Sequence, residues 1–111
     1  MLLEIGAKVL VSHRRLFPED QGRFFVGSVV GCEAGIVKVT GLTWTRDPTH
    51  GFHRKRDLRT KLISLHSGTQ IVYELPTNVE VEALRLEQPT GHTVILTDDA
   101  KFQMDLSERI F

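Results

Sequence analysis

Cysteine is almost absent from the chain: Cys32 is the only one among 111 residues, so an internal disulfide framework and a cysteine-only metal site are both excluded. Long hydrophobic runs are missing too. Nowhere do about 18 apolar residues follow one another, so no helix of the sequence is suited to crossing a bilayer. Net charge is lacking as well, because 14 Lys/Arg balance 14 Asp/Glu. Enzymatic signatures are equally scarce. There is no glycine-rich phosphate loop, no Gly-x-Ser-x-Gly elbow and no Cys/His set with zinc spacing. What remains is an ordinary globular composition, 41% hydrophobic and 25% charged, in a length that supports a single core rather than two. The lone thiol fits a reducing compartment. Residues 1 to 10 include Glu4 and Lys8 and no signal-peptide core, so a cytoplasmic location is expected.

Neutrality conceals an uneven distribution. Residues 1 to 73 hold 11 basic side chains against 6 acids, and residues 74 to 111 hold 3 against 8, giving two halves of plus five and minus five. Such asymmetry marks either a polyanion site on the basic half or two halves that neutralise each other, within a subunit or between neighbours.

Alternation of apolar and polar residues dominates over helical spacing. Ala7, Val9 and Val11 define a first strand near 7 to 13, and residues 14 to 22, with Pro18 and Gly22, read as a loop. A hairpin follows, from Phe25, Gly27, Val29 and Gly31 through Glu33-Ala34-Gly35 into Ile36, Val37, Val39, Gly41 and Trp44. Gly35 supplies the positive φ of a tight turn. Gly27 and Gly31 lie inside a strand, where glycine is otherwise unfavourable, and point to the bends of a small barrel. Thr45 to Lys61 reads as a long exposed basic loop leading into a strand, with a short amphipathic helix near Phe52 to Lys61 as the alternative. Two β runs, 61 to 65 and 69 to 75, flank Ser67-Gly68. Residues 79 to 87 alternate as a strand, 88 to 91 turn, 92 to 97 return, and Phe102, Met104 and Leu106 form a last strand before a short terminal helix at 107 to 111. The expected fold is therefore all-β, a small strongly bent antiparallel barrel over residues 1–76 with a C-terminal β-meander extension over 77–111 packed on the same domain.

Few residues suggest chemistry. His50 and His53 form a His-x-x-His pair without the third and fourth ligands of a structural metal. His66 adjoins Ser67, but neighbouring strand residues point to opposite faces. Asp98-Asp99 reads as a solvated turn and Cys32 as a small apolar residue. No catalytic residue, metal or cofactor is assigned. The basic segment is the electrostatic candidate: Arg54, Lys55, Arg56, Arg59 and Lys61, with Phe52 as a stacking face, have the cation and aromatic pairing that binds single-stranded RNA or DNA.

Gly27-Ser-Val29-Val-Gly31-Cys-Glu33 resembles the first motif of the Sm-like (LSm) RNA-associated barrels, Gly-x-Leu-x-Gly-x-Asp. Some forty residues on, His66-Ser67-Gly68-Thr69-Gln70-Ile71-Val72-Tyr73 is similar to their second motif. The resemblance covers about residues 8–75 and implies a bent five-stranded barrel whose members form rings by pairing a fourth strand, here about 60 to 66, with the fifth of a neighbour, here about 69 to 75. Leu62, Ile63, Ile71, Val72 and Tyr73 would then lie at the subunit interface, and closure would cover an aggregation-prone edge. Departures fall on the family's RNA contacts: Val37 stands where the base-contacting Asn is implied, Ser67 where Arg is, and Gln70 where Asn is. The leading expectation is a non-enzymatic module that forms a homo-oligomer and acts in assembly or binding. Single-stranded nucleic-acid binding through residues 46 to 61 is the second reading, and a small-ligand receptor or enzyme of unrecognised type the third.

Overall fold

A computed structural model describes residues 3–13, 23–47, 51–90, 93–98 and 102–106. It is all-β and antiparallel. The strands are β1 (Lys8–His13), β2 (Arg23–Glu33), β3 (Ile36–Asp47), β4 (Gly51–Arg54), β5 (Arg59–Ser64), β6 (Gln70–Leu75), β7 (Arg85–Thr90), β8 (Thr93–Thr97) and β9 (Gln103–Asp105). One sheet runs β4-β3-β2-β1-β6, with β5 also on β3, and a second runs β7-β8-β9. β3 is long enough to serve two partners in succession: Ile36 to Gly41 pairs with β5, and Trp44 to Asp47 pairs with β4.

The β2–β3 hairpin is closed by Ala34 and Gly35, both with positive φ (49° and 79°). Two such residues form the mirror-image turn whose twist matches that of the flanking strands. Further along the hairpin, Gly27 pairs with Gly41. A Cβ on Gly27 would stand 2.8 Å from the Thr40 carbonyl carbon and 2.9 Å from Gly41 Cα, so the two backbones approach as only paired glycines allow. Gly31 has another role. It follows the register shift between Val29 and Gly31, a β-bulge that bends the strand.

Both faces of the large sheet are buried, against different partners. Val9, Val11, Phe25, Val29, Val37, Val39 and Ile63 form one cluster, with Val72 packed against it. Its members come from β1, β2, β3, β5 and β6, and none comes from β7 to β9. A single sheet that buries one face against itself must curl, and we call this the inner face. β5 and β6 both line that cluster, yet no ladder joins them among the described residues. The opposite, outer face carries Leu10, Val26, Trp44 and Leu75, and these are covered by Val79, Leu84, Leu86, Leu96 and Leu106 from the C-terminal segment. Lys8 fixes the crossing by donating from Nζ to the carbonyls of Thr77, at 2.9 Å, and Val79.

Three expectations change. The basic segment is mostly strand: β3 runs on to Asp47 and β4 and β5 follow, so neither a long loop nor a helix fills the described part of residues 45 to 61. Residues 79 to 87 are not one strand, because a 3-10 turn occupies Val81–Ala83 before β7 begins. In a straight strand Val79 and Leu84 would face opposite sides; the turn brings both into the outer cluster. Alternation along the sequence marks seven or eight short strands, and the described residues form nine. The expected terminal helix lies outside the described residues.

Candidate functional site

The register divides the basic segment between the two faces. Trp44 pairs with Arg54 and Arg46 with Phe52, which puts Arg54 and Phe52 on the outer face. There, Phe52 meets Phe24 edge-on with ring centroids 5.6 Å apart, and Arg54 lies 5.9 Å from the Trp44 ring centroid and donates to the Glu82 carbonyl at 3.0 Å. Both side chains help hold the C-terminal segment. Lys61 pairs with Val39 and Arg59 with Gly41, so these two share the inner face with Phe25, and Lys61 Nζ sits 4.6 Å from that ring's centroid. Arg56 is exposed in the turn between β4 and β5.

At the same end of the inner face stand groups that the sequence keeps far apart. His13 ends β1, Arg23 starts β2 opposite Thr45, and Gln70 starts β6 opposite His13. Gln70 Nε2 lies 3.1 Å from His13 Nε2. An amide nitrogen only donates, so in this pairing Gln70 is the donor and the ring nitrogen the acceptor, an arrangement that favours the uncharged ring. Electrostatics act in the same sense. Burial, then Lys61 and Arg23, hold the His13 pKa below its ordinary value, with the Arg23 backbone acting in the opposite sense. Burial, then Arg23, Arg59 and Lys55, likewise lower Lys61. The result is a basic mouth at one end of the curled sheet, made by β1, β2, β5 and the turn before β5.

Protonating His13 is harder in the folded chain than in the unfolded one, so the unfolded state takes up the proton first. Stability is expected to fall as pH drops through the ordinary histidine range, and to level off below the folded pKa. Thermal melts of wild type and His13→Gln across that window check this. The substitution should remove part of the decline, and an identical decline in both would place its source elsewhere.

Of the residues assigned to a subunit interface, Leu62 is 71% and Ile71 42% exposed, whereas Ile63 is buried in the inner cluster. Val72 packs on that same cluster and Tyr73 on the outer one. Leu62 also belongs to an outer-face patch that the C-terminal sheet leaves open. It pairs with Lys38, diagonal to Ile36, and Val30 flanks the same Lys38 across the bulge; Ile36 and Val30 are each 45% exposed.

The remaining polar residues serve turns. Ser67 Oγ contacts Thr69 Oγ1 at 2.5 Å and accepts from the Thr69 amide at 3.2 Å, while the His66 amide donates to Ser64 Oγ at 3.3 Å. Asp98 accepts from the Phe102 amide at 3.0 Å. Cys32 packs, half-buried, against the inner cluster. His53 is exposed on β4, and His50, His92 and Asp99 lie outside the described residues. Among the described residues no three His, Cys, Asp or Glu side chains gather as metal ligands, and no helix is long and apolar enough to cross a membrane. Comparison with family models, curated proteins and solved structures yields no match, so the functional reading rests on the residues themselves.

Proposed function

We propose that this chain is a non-catalytic, Sm-like barrel module that assembles with copies of itself, β5 of one subunit pairing with β6 of the next. The observation that carries this reading is the pair of open edges. β5 and β6 are outer strands of one curled sheet, both line its inner cluster, and neither has a ladder on its second side among the described residues. Their ranges, Arg59–Ser64 and Gln70–Leu75, overlap the segments, about 60 to 66 and 69 to 75, that the Sm-like resemblance gives as its fourth and fifth strands, although β4 makes them the fifth and sixth of the large sheet here. Two different edges that complement each other give a head-to-tail contact, which closes into a ring when the rotation permits. Leu62 and Ile71, the exposed apolar residues of the two strands, would gain cover in such a contact.

The family's RNA contacts do not carry over. Val37, in the place of the implied Asn, is 1% exposed and faces the inner cluster, and Ser67, in the place of the implied Arg, is engaged in its own turn.

Light scattering should return a discrete mass several times that of one chain. Leu62→Lys combined with Ile71→Lys places like charges on both edges and should shift that mass to the monomer without loss of the β signature in circular dichroism. A wild-type monomer at the same concentration contradicts the proposal.

A further inference from the structure

The inner face changes character along its length. Its middle is apolar, and His13 from β1 and Arg23 from β2 lie beyond Phe25; Lys61, whose backbone in β5 pairs with Val39, carries its Nζ back over the Phe25 ring into reach of both, with Arg59 and Lys55 near it. Among the described residues the carboxylate that pairs with this group is Asp57, 3.7 Å from Arg59, with both side chains more than half exposed. Such a pair contributes little. Folded surfaces normally intersperse charge, so among the described residues these cations are held together at the expense of mutual repulsion.

We propose that the basic mouth is a binding site for a phosphate group, with Arg23 and Lys61 as its principal contacts. Arg23 offers a planar fork of donors suited to two phosphate oxygens, and Lys61 a compact charge supplied from β5. The buried ring of Phe25 beneath Lys61 excludes water from one side and strengthens the attraction. Burial first and then mutual repulsion disfavour the charged forms of Lys61 and His13; an anion here offsets both, and Gln70 and Thr45 add polar groups at the rim. Every group belongs to one chain, so the site stands whether or not the open edges assemble. It also differs from the basic segment as the sequence presents it. Arg54 and Phe52 are excluded to the outer face, and His13 and Arg23, more than thirty residues upstream of Lys61, are included.

The phosphate has two chemical sources, a small phosphorylated molecule or the backbone of a single-stranded nucleic acid. Nuclear magnetic resonance separates them by following the His13 ring and the Lys61 amide while inorganic pyrophosphate or a thymidine oligonucleotide of about twelve residues is added. A saturable shift with pyrophosphate is expected for a small-phosphate site, and a shift with the oligonucleotide alone for a backbone site; both support the proposal. Arg23→Gln with Lys61→Gln should weaken the responding ligand by about tenfold or more, and added salt should weaken an oligonucleotide steeply. Arg54→Gln removes a charge of the same segment from the opposite face and should leave affinity unchanged. Absence of a shift with either ligand in the wild-type protein overturns the proposal, as does an equal loss in Arg54→Gln and in the double variant.

Discussion

Gly27→Val is expected to destabilise the fold by about 3 kcal/mol or more, at the upper end of overpacking effects. The added side chain would collide with the Thr40 carbonyl and with Gly41 Cα, and these are backbone atoms that no rotamer change can remove. Gly41 is as constrained, since its own Cβ would stand 2.7 Å from the Val26 carbonyl carbon. Relief would require β2 and β3 to separate where they bend, and that opens the inner cluster beside Phe25 and Val29. Gly31→Ala is the matched control. Its Cβ would meet Lys38 Cβ at an ordinary 3.7 Å, so the change should be neutral or stabilising by about 0.5–1 kcal/mol. Chemical denaturation of the two variants tests the pair. Equal, small effects would mean that Gly27 sits in a regular, uncrowded strand.

Leu84→Ala carries the second large effect, an expected loss of about 2–5 kcal/mol. Leu84 is fully buried and stands just after the 3-10 turn, in the outer cluster with Leu10, Val26 and Trp44. The cavity lies between the two sheets rather than within one. Trp44, the single tryptophan, occupies the same cluster, so its fluorescence reports on the large sheet while Leu84 belongs to the C-terminal segment. Fluorescence and far-ultraviolet circular dichroism should therefore shift together in one transition. A Trp44 transition left in place while part of the circular dichroism melts earlier would show that the C-terminal sheet unfolds by itself.

Local chemistry made much of the fold readable. Period-two alternation marks most strands, Ala34-Gly35 marks the hairpin, and an in-strand glycine at position 27 marks a close approach. What alternation could not convey was a sheet with two buried faces. Val9, Leu10 and Val11 are a continuous apolar run, all fully buried, with Leu10 facing one cluster and its neighbours the other. Such a run is the sequence signal of a doubly covered strand. Gly41 was equally visible as a residue, but only the pairing across the hairpin makes it the partner of Gly27. Val79 to Glu87 shows the reverse error, since good alternation conceals a 3-10 turn that tertiary burial of Val79 and Leu84 imposes.

The site was legible in composition and illegible in geometry. Arg54, Lys55, Arg56, Arg59 and Lys61 stand out as a charge run, but a strand sends alternate residues to opposite faces, and β4 sends Arg54 away from Lys61. His13 and Arg23 flank the segment 14 to 22 and carry no motif. Counting back from the Ala34-Gly35 turn places Arg23 opposite Arg46, but the bulge after Val29 shifts the pairing by one residue, to Thr45. Nothing local links either residue to Lys61; β1–β2 and β3–β5 pairing does.

The pairing of β5 with β6 between subunits is tested most directly by amide hydrogen exchange along residues 59 to 64 and 70 to 75, in the wild-type protein and in the variant that carries Leu62→Lys with Ile71→Lys. Alternate amides of each strand, those directed away from β3 and from β1, should be protected in the wild type and exchange rapidly in the variant, while the amides bonded within the subunit stay protected in both. Equally rapid exchange of the outward amides in both proteins would contradict assembly through these edges.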